Sequence, residues 1–159
     1  MYDMRMISHN EEETRKIAIG LAKRLRGGEV VLLYGDLGAG KTVFVKGLAK
    51  ALGIKETIKS PTFNIMKIYN TKAQKHHPSP RLRMASKSIK TLCHIDAYRL
   101  KSYDDLLDIG ADEYFGKENA VSVIEWAERA EGAEKFGNKI IKIKIKYGKK
   151  ENERLICVK

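Results

Sequence analysis

One stretch of the sequence combines glycines, a lysine and a threonine at a spacing suited to binding phosphate. Residues 35–42 read Gly-Asp-Leu-Gly-Ala-Gly-Lys-Thr and match the pattern G-x-x-x-x-G-K-[ST] in full. Glycines let the backbone curve tightly, so that successive N–H groups can point inward at an anion. We therefore predict a P-loop whose nucleotide contacts come from Gly35, Asp36, Leu37, Gly38, Ala39, Gly40, Lys41 and Thr42.

Two side chains of this motif have roles of their own. Lys41 would reach the β- and γ-phosphates as a point charge and take part in catalysis, and the Thr42 hydroxyl would coordinate magnesium. A helix predicted to follow would direct its positive end at the same anion. The motif thus predicts ATP as substrate and Mg²⁺ as cofactor; no guanine-reading N-K-x-D motif is present, which favours ATP over GTP.

Phosphate chemistry of this kind also needs a carboxylate at the end of another strand. Asp96 follows the apolar residues 92–95, and Glu125 follows the apolar residues 121–124. Because ligands of open α/β sheets bind at the carboxyl ends of the strands, we expect both carboxylates to face the phosphates. One would hold magnesium and the other would orient or deprotonate the attacking water, and the sequence leaves that division open.

Two further side chains are candidates with an ordinary alternative. Thr62, directly after Ser60-Pro61, is placed like a switch threonine that contacts the γ-phosphate or magnesium, or else simply begins a strand. Trp126 is the only tryptophan and follows Glu125, so it would cover the nucleotide or pack as a core or rim aromatic.

The elements that must position these residues follow from periodicity and turn residues. Ser8 and Glu11 have the spacing of a capping box and predict a helix with apolar positions up to Leu25. The all-apolar residues 30–34 predict a buried strand, and residues 42–52 predict the helix after the P-loop.

The second half of the chain is predicted to be mostly strands. Phe63, Ile65 and Ile68 predict one strand, and apolar runs predict two more at residues 91–96 and 120–125. An acidic stretch at residues 103–109 predicts a short helix. Isoleucine and lysine alternate over residues 139–147, which predicts an edge strand with one wet face protected by lysines, paired with residues 155–158 in a C-terminal antiparallel hairpin.

This order predicts an α/β, P-loop NTPase fold with three layers, parallel central strands and antiparallel additions. The length of 159 residues and the lack of an internal repeat or linker predict a single domain over residues 1–159.

The segment from Asn70 to Lys90 differs from its surroundings. It holds two prolines, several serines and six lysines or arginines with no acid, and the whole chain carries a net charge of +11. We expect an exposed, mobile loop at about residues 70–90. It would contact the backbone of an RNA, contact an acidic partner, act as a lid with a catalytic arginine, or be a disordered insertion.

The remaining composition points to a cytoplasmic protein with no membrane partner. No apolar run approaches the length of a membrane span, and residues 1–26 lack the apolar core of a signal peptide. Cys93 and Cys157 lie in apolar stretches without a CxxC neighbour, which predicts buried free thiols in a reducing compartment.

Four motifs in order resemble the TsaE family, also called YjeE, of bacterial P-loop ATPases. Their order and spacing match the family over nearly the whole chain apart from residues 70–90, and together they are far more specific than the P-loop alone. The matching segments are Gly35-Asp36-Leu37-Gly38-Ala39-Gly40-Lys41-Thr42, Lys59-Ser60-Pro61-Thr62-Phe63, His94-Ile95-Asp96-Ala97-Tyr98-Arg99-Leu100 and Ile124-Glu125-Trp126-Ala127-Glu128-Arg129.

The resemblance implies an ATPase needed to make N6-threonylcarbamoyladenosine (t6A) in ANN-decoding tRNAs. Members of the family act on the TsaD–TsaB complex, apparently resetting it between turnovers, and hydrolyse ATP slowly alone. By motif, Thr42 and Glu125 are similar to the magnesium pair, and Asp96 and Thr62 resemble the other catalytic groups. Asn10 matches a polar position that the family places beside the nucleotide.

The sequence departs from the family pattern at two motif positions and in one loop. Val43 replaces a usual second threonine, which removes a hydroxyl near the α-phosphate, and Ala127 replaces a usual proline. The basic segment from Asn70 to Lys90 is longer than the family leads us to expect.

Two other functions are compatible with the motifs. A small-molecule or nucleoside kinase would use Asp96 or Glu125 as the base for an acceptor, and Arg81 or Arg83 in a lid, although no acceptor-binding pattern is present. A nucleotide-switched module would instead bind RNA or a protein through its charge, with negligible turnover.

Overall fold

The computed structural model describes residues 4–71, 89–135, 137 and 139–159. Over these residues the strands form one seven-stranded sheet in the order β1-β7-β6-β2-β5-β4-β3. The strands are β1 (Met4–Ser8), β2 (Val30–Tyr34), β3 (Met66–Asn70), β4 (Thr91–Asp96), β5 (Ala120–Glu125), β6 (Ile140–Tyr147) and β7 (Arg154–Val158).

The helices divide into two long ones and several short turns. The described α-helices are α1 (Glu11–Ala22), α2 (Lys41–Ala51) and α3 (Asp104–Asp108), and the 3₁₀ turns are Ala97–Arg99, Ala111–Glu113, Ala127–Arg129 and Ala133–Lys135. None of the helices in the described part of the chain has the length and apolar character needed to cross a membrane.

The centre of the sheet is parallel, as the sequence predicts. Strand β2 runs parallel to β5 on one side and to β6 on the other, and β4 runs parallel to β5. Strands β3, β7 and β1 are antiparallel to their neighbours, so that β6 and β7 form the predicted hairpin. The carboxyl ends of β2, β4 and β5 therefore meet at one edge of the sheet.

Apolar side chains bury both faces of the sheet at its centre. Helices α1 and α2 pack on one face, where Phe44 and Leu48 meet strand residues such as Val31 and Val123. The second face has its own core, in which Leu32, Ile95 and Ile124 pack against Leu106 of α3 and alanines of the 3₁₀ turns. These two cores confirm the predicted three-layer α/β architecture.

The first helix begins two residues later than the capping-box prediction. Ser8 ends strand β1, and its hydroxyl bonds to that of Thr14 at 2.8 Å. Asn10 is the cap instead, since its side chain accepts a hydrogen bond from the Glu13 N–H at 2.9 Å. The Glu13 carboxylate accepts in turn from the N–H of His9, the residue before the cap, at 2.8 Å, which resembles a capping box shifted by two residues.

The prediction that residues 139–147 form an edge strand was wrong, whereas the prediction that the lysines of this strand are exposed was confirmed. Strand β6 lies inside the sheet between β2 and β7, while β1 and β3 are the edges. Its Ile143 and Ile145 are buried under the helices and Lys142, Lys144 and Lys146 face solvent. A strand with one uncovered face has the same alternation whether it lies at an edge or not.

The predicted strand start at Phe63 was also wrong. Residues 62–65 form a turn and a bend, Ile65 has a φ of 61°, and β3 begins only at Met66. Residues 72–88 of the predicted basic loop lie outside the described residues; at its base the Thr71 N–H donates to the Lys90 carbonyl at 2.8 Å.

Candidate functional site

The P-loop joins the buried strand β2 to helix α2 through glycines in left-handed backbone conformations. Gly40 has a φ of 103° and caps α2, and Gly35 has a φ of 146°. A Cβ atom at Gly35 would lie 2.3 Å from the Ile145 carbonyl oxygen, so the loop passes against β6 too closely for any side chain. The loop is therefore fixed by the sheet beneath it.

Lys41 is held by its own loop. Its side chain is buried, and its Nζ donates to the carbonyls of Gly35 at 2.6 Å and Asp36 at 2.9 Å. The same ammonium lies 3.6 Å from the centroid of the Trp126 ring, a cation–π contact. Burial lowers the pKa of Lys41 below its usual 10.5, against the attraction of nearby carboxylates, Glu125 first. The charge is thus concentrated at the loop and partly desolvated.

The Thr42 hydroxyl meets Glu125, whose position at the end of β5 places it beside the P-loop. Leu33 of β2 pairs with Glu125, so the neighbouring strand delivers this carboxylate to the first turn of α2. The Thr42 Oγ1 lies 3.0 Å and 2.9 Å from the two Glu125 oxygens, and Glu125 is only 2% exposed. The structure therefore joins the two groups that the sequence predicts as magnesium ligands.

Asp96 occupies the corresponding place on the next strand. It pairs with Glu125 in the parallel β4–β5 register, so both carboxylates leave the same face of the sheet at the same level. One Asp96 oxygen accepts hydrogen bonds from the hydroxyls of Ser60 at 2.5 Å and Thr62 at 3.0 Å, and the other accepts from the Tyr98 N–H at 3.0 Å. Asp96 thus anchors the predicted switch threonine.

A second residue holds the turn that carries Thr62. The Arg99 guanidinium donates to the Thr62 carbonyl and, at 2.6 Å, to the Phe63 carbonyl. Phe63 itself is 92% exposed at the tip of this turn. The turn is consequently tied to the end of β4 by hydrogen bonds, and its apolar tip contributes little to its anchoring.

These residues surround a cavity of about 810 Å³ at the carboxyl edge of the sheet. Trp126, which the sequence leaves as either a cover for the nucleotide or a core or rim aromatic, lines the cavity. Seven other described residues line it that the sequence does not predict as site residues: Glu11, Thr14, Val43, Ser60, Tyr98, Asn152 and Arg154. The predicted site residues that line it are Asn10, Leu37, Gly38, Ala39, Gly40, Lys41, Thr42, Thr62, Asp96 and Glu125. Gly35 and Asp36 do not line it; they hold Lys41 through their carbonyls.

The C-terminal hairpin reaches the P-loop as well. The Tyr147 hydroxyl donates to the Leu37 carbonyl at 2.6 Å, and the Arg154 Nε donates to the Ala39 carbonyl at 3.2 Å. Arg154 also lies over the Tyr147 ring at 4.4 Å. Sequence spacing gives no signal for these contacts, because more than a hundred residues separate the partners. Only the P-loop glycines, which permit a close approach, hint that something packs against them.

The donor atoms at this edge fit a magnesium ion bound with a nucleotide. Among the described residues no group of three His, Cys, Asp or Glu side chains could hold a metal by itself. Magnesium needs no such group, since it prefers hard oxygen donors and takes one or two carboxylates together with substrate phosphates. The Thr42 hydroxyl and the Glu125 carboxylate provide such oxygens in contact with each other, and Asp96 provides another on the neighbouring strand.

A family model matches almost the whole chain. The model "Threonylcarbamoyl adenosine biosynthesis protein TsaE" covers residues 8–156, a range that includes every residue described above around the cavity.

Individual relatives agree with the family model. The chain is 42% identical over 127 residues to the tRNA threonylcarbamoyladenosine biosynthesis protein TsaE of Treponema pallidum, covering 79% of this chain and 80% of that one. It is 41% identical over 122 residues to the protein of the same name from Bacillus subtilis, covering 77% and 65%. The crystal structure of YdiB from Bacillus subtilis superposes with a TM-score of 0.72 at 33% identity, covering 99% of this chain and 84% of that one.

Proposed function

The chain belongs to the TsaE family of threonylcarbamoyl adenosine biosynthesis proteins, and from this premise we propose that it is an ATP-binding and ATP-hydrolysing subunit required for t6A modification of tRNA. In this proposal it acts in the cytoplasm on the TsaD–TsaB complex, and it meets tRNA directly or through that complex. It does not transfer the threonylcarbamoyl group.

One observation supports the ATPase part of the proposal above the others. The hydroxyl of the P-loop threonine is hydrogen-bonded to a buried carboxylate from the neighbouring strand. In P-loop NTPases a threonine and a strand-end carboxylate hold the magnesium ion that bridges the β- and γ-phosphates. Thr42 can give its hydrogen to Glu125 and keep an oxygen lone pair for the metal. Bound magnesium would neutralise charge that develops on the phosphates.

Lys41 and the loop backbone would bind the phosphates. The Lys41 ammonium already lies among the loop carbonyls, so a short movement of its side chain would bring the charge from the Gly35 and Asp36 oxygens to the β- and γ-phosphates. The N–H groups from Leu37 to Thr42 and the N-terminus of α2 add donors for the same oxygens.

Asp96 and Thr62 would act on the attacking water. Both Asp96 oxygens already accept hydrogen bonds, which fixes the carboxylate's orientation beside the cavity. From there it would orient the water or take its proton, while the Thr62 hydroxyl contacts the γ-phosphate or the metal. Asn10, which also lines the cavity, would contact the nucleoside part.

Phosphate release from ATP and Mg²⁺ tests this function, measured with and without purified TsaD, TsaB and tRNA. We expect slow release alone and strong stimulation by the TsaD–TsaB pair. Background hydrolysis in every mixture would contradict the proposal. Turnover that appears only with a small-molecule acceptor would instead establish a kinase, and ATP-dependent RNA or protein binding without turnover would establish a switched binding module.

A further inference from the structure

His94 lies deep in β4, two residues before Asp96, and its side chain has a single polar partner in the part of the chain that the structure describes. The imidazole is fully buried, and its Nε2 lies 2.7 Å from Oε1 of Glu125. Within the described residues no hydrogen-bond partner lies near its Nδ1. The whole polar bonding of this ring is therefore directed at one carboxylate oxygen.

The surroundings of His94 would suit an apolar side chain better. Leu92 on the same strand face is fully buried, and the Tyr69 ring of β3 lies 6.4 Å away, centroid to centroid. A buried imidazole with one unsatisfied nitrogen is less favourable in such a place than a leucine would be, because burying a polar atom without a partner costs free energy. Packing alone gives no reason for a histidine here.

The hydrogen bond to Glu125 defines which nitrogen of the His94 ring carries the hydrogen. A carboxylate oxygen accepts, so the Nε2 carries the hydrogen and donates it to Oε1. Nδ1 is then the acceptor nitrogen, and a lone pair without a donor is more easily tolerated than an N–H without an acceptor. The bond arrives from within the sheet, whereas the Thr42 hydroxyl approaches the same carboxylate from the P-loop.

The two carboxylates of the site are consequently held in different ways. Asp96 accepts from a backbone N–H two residues along the chain, that of Tyr98, and from two hydroxyls of the turn, those of Ser60 and Thr62. Glu125 has a longer side chain with more rotamer freedom to lose, and its two side-chain donors, Thr42 and His94, come from two other elements. Without His94, only a hydroxyl that also serves the metal would orient Glu125.

We propose that His94 is a positioning residue, which locks Glu125 in the rotamer that presents its carboxylate to Thr42 and to magnesium bound with the nucleotide. This inference rests on the proposed nucleotide and magnesium site, and it assigns no contact between His94 and the nucleotide or metal. Groups that hydrogen-bond to metal-ligating carboxylates typically change metal affinity by about 10- to 100-fold when they are removed.

The test compares three variants in ADP binding with Mg²⁺ and with EDTA. His94→Leu removes the donor and keeps an apolar volume. The side chain of His94→Gln is long enough to place an amide N–H at the position of Nε2, where it can donate to Glu125. The side chain of His94→Asn is shorter, so its amide reaches only the position of Nδ1 and cannot contact Glu125. The quantity compared is the ratio of the ADP dissociation constant in EDTA to that in Mg²⁺. We expect this ratio to fall by about 10- to 100-fold in His94→Leu and His94→Asn. In His94→Gln the ratio should stay close to the wild-type value. Binding in EDTA should stay as in the wild type.

A second readout concerns the ring itself. A long-range ¹H–¹⁵N spectrum of the wild type should show a protonated Nε2 and an unprotonated Nδ1 for His94, and Glu125→Gln should change those shifts. If His94→Leu does not fold, the contrast between the Gln and Asn variants decides alone.

Three results would overturn the proposal: an intact Mg²⁺ effect in His94→Leu, an equal loss of ADP affinity with and without Mg²⁺, or identical behaviour of the Gln and Asn variants. The proposed function fails separately, because a wild-type protein that does not bind ADP in any condition would refute the nucleotide site itself.

Discussion

The two sides of the candidate site are built from different kinds of structure. On the P-loop side, Lys41, Thr42 and Glu125 come from the start of a three-turn helix and the end of a central strand. On the turn side, Ser60 and Thr62 come from an irregular segment tied to Asp96 and Arg99 by side chains. Glu125 is 2% exposed and Phe63 is 92% exposed, although Glu125 and Thr62, the residue before Phe63, line the same cavity.

Under the proposed function, this contrast would separate two tasks of a nucleotide hydrolase. The backbone ladder and core packing fix the P-loop side before any ligand arrives, which suits the binding of phosphate and metal. A few hydrogen bonds to an exposed turn fix the other side, and such a segment opens locally at a lower cost in free energy than the core. We expect substitutions on the P-loop side to change nucleotide binding, or metal binding and the turnover that depends on the metal. Substitutions on the turn side should change kcat and turn mobility while the affinity for ATP stays the same.

The largest effect is expected from Lys41→Ala. Charge-assisted hydrogen bonds are worth about 1.5–3 kcal/mol each, so losing those to two phosphates should weaken ATP binding by about 100-fold or more. Isothermal titration with ATP and Mg²⁺ measures this, and the melting temperature should show that the fold is intact. Lys46→Ala, at an exposed position on the same helix, is the matched control; equal affinities in the two variants would refute the assigned role of Lys41.

Glu125→Gln should have the next largest effect. The variant keeps the shape of the side chain but loses its charge, so we expect kcat to fall by about 100-fold, in keeping with the several kcal/mol that a metal's charge contributes. ATP should still bind in EDTA. Phosphate release across a Mg²⁺ titration measures the change. An undiminished rate would show that Glu125 has no role in magnesium-dependent hydrolysis.

Asp96→Asn should sharpen the comparison from the turn side. A general base contributes typically 10²–10⁴-fold, and a loose phosphoryl transition state needs little of it, so we expect a loss in kcat of about 10- to 100-fold. The dissociation constant of ATP with Mg²⁺ should stay unchanged. Asp108→Asn, at an exposed position of α3, is the control. A weakened ATP affinity with normal kcat would place Asp96 on the P-loop side instead.

The smallest effect is expected from Arg99→Ala. The guanidinium holds two carbonyls of the turn, and an exposed interaction of this kind is worth roughly 1 kcal/mol. Amide hydrogen exchange at residues 62–65 should accelerate several-fold, with a similarly modest fall in kcat. Lys101→Ala, which is exposed nearby, should change neither. Unchanged exchange in Arg99→Ala would show that the turn is held by other contacts.

The same division explains what the sequence could predict. The P-loop and the two strand-end carboxylates are local patterns, in which a short apolar run, a glycine loop or a terminal acid is visible within about ten residues. Sheet topology places the ends of parallel strands together, so the convergence of Lys41, Asp96 and Glu125 on one cavity was predictable before the structure.

Features that depend on distant partners were not predictable. Strand β1 pairs only with β7 at the other end of the chain, and β6 proved to be an inner strand because β7 and β1 extend the sheet beyond it. Arg154 reaches the P-loop across 115 residues of sequence. The helix cap was missed for a local reason: Ser8 and Asn10 both suit a cap, and only the pairing of β1 decides that Ser8 is still in a strand.

The resting position of Lys41 bears on how quickly the site can be emptied. Its ammonium has two carbonyl acceptors and the face of Trp126 before any phosphate is present. A departing nucleotide therefore leaves no bare cation behind, because the lysine returns to acceptors that the protein carries itself. The affinity for nucleotide is the difference between two sets of contacts to the same ammonium. Under the proposed function, that exchange would lower the affinity for nucleotide and favour rapid product release, as repeated cycling between a bound and an empty state requires.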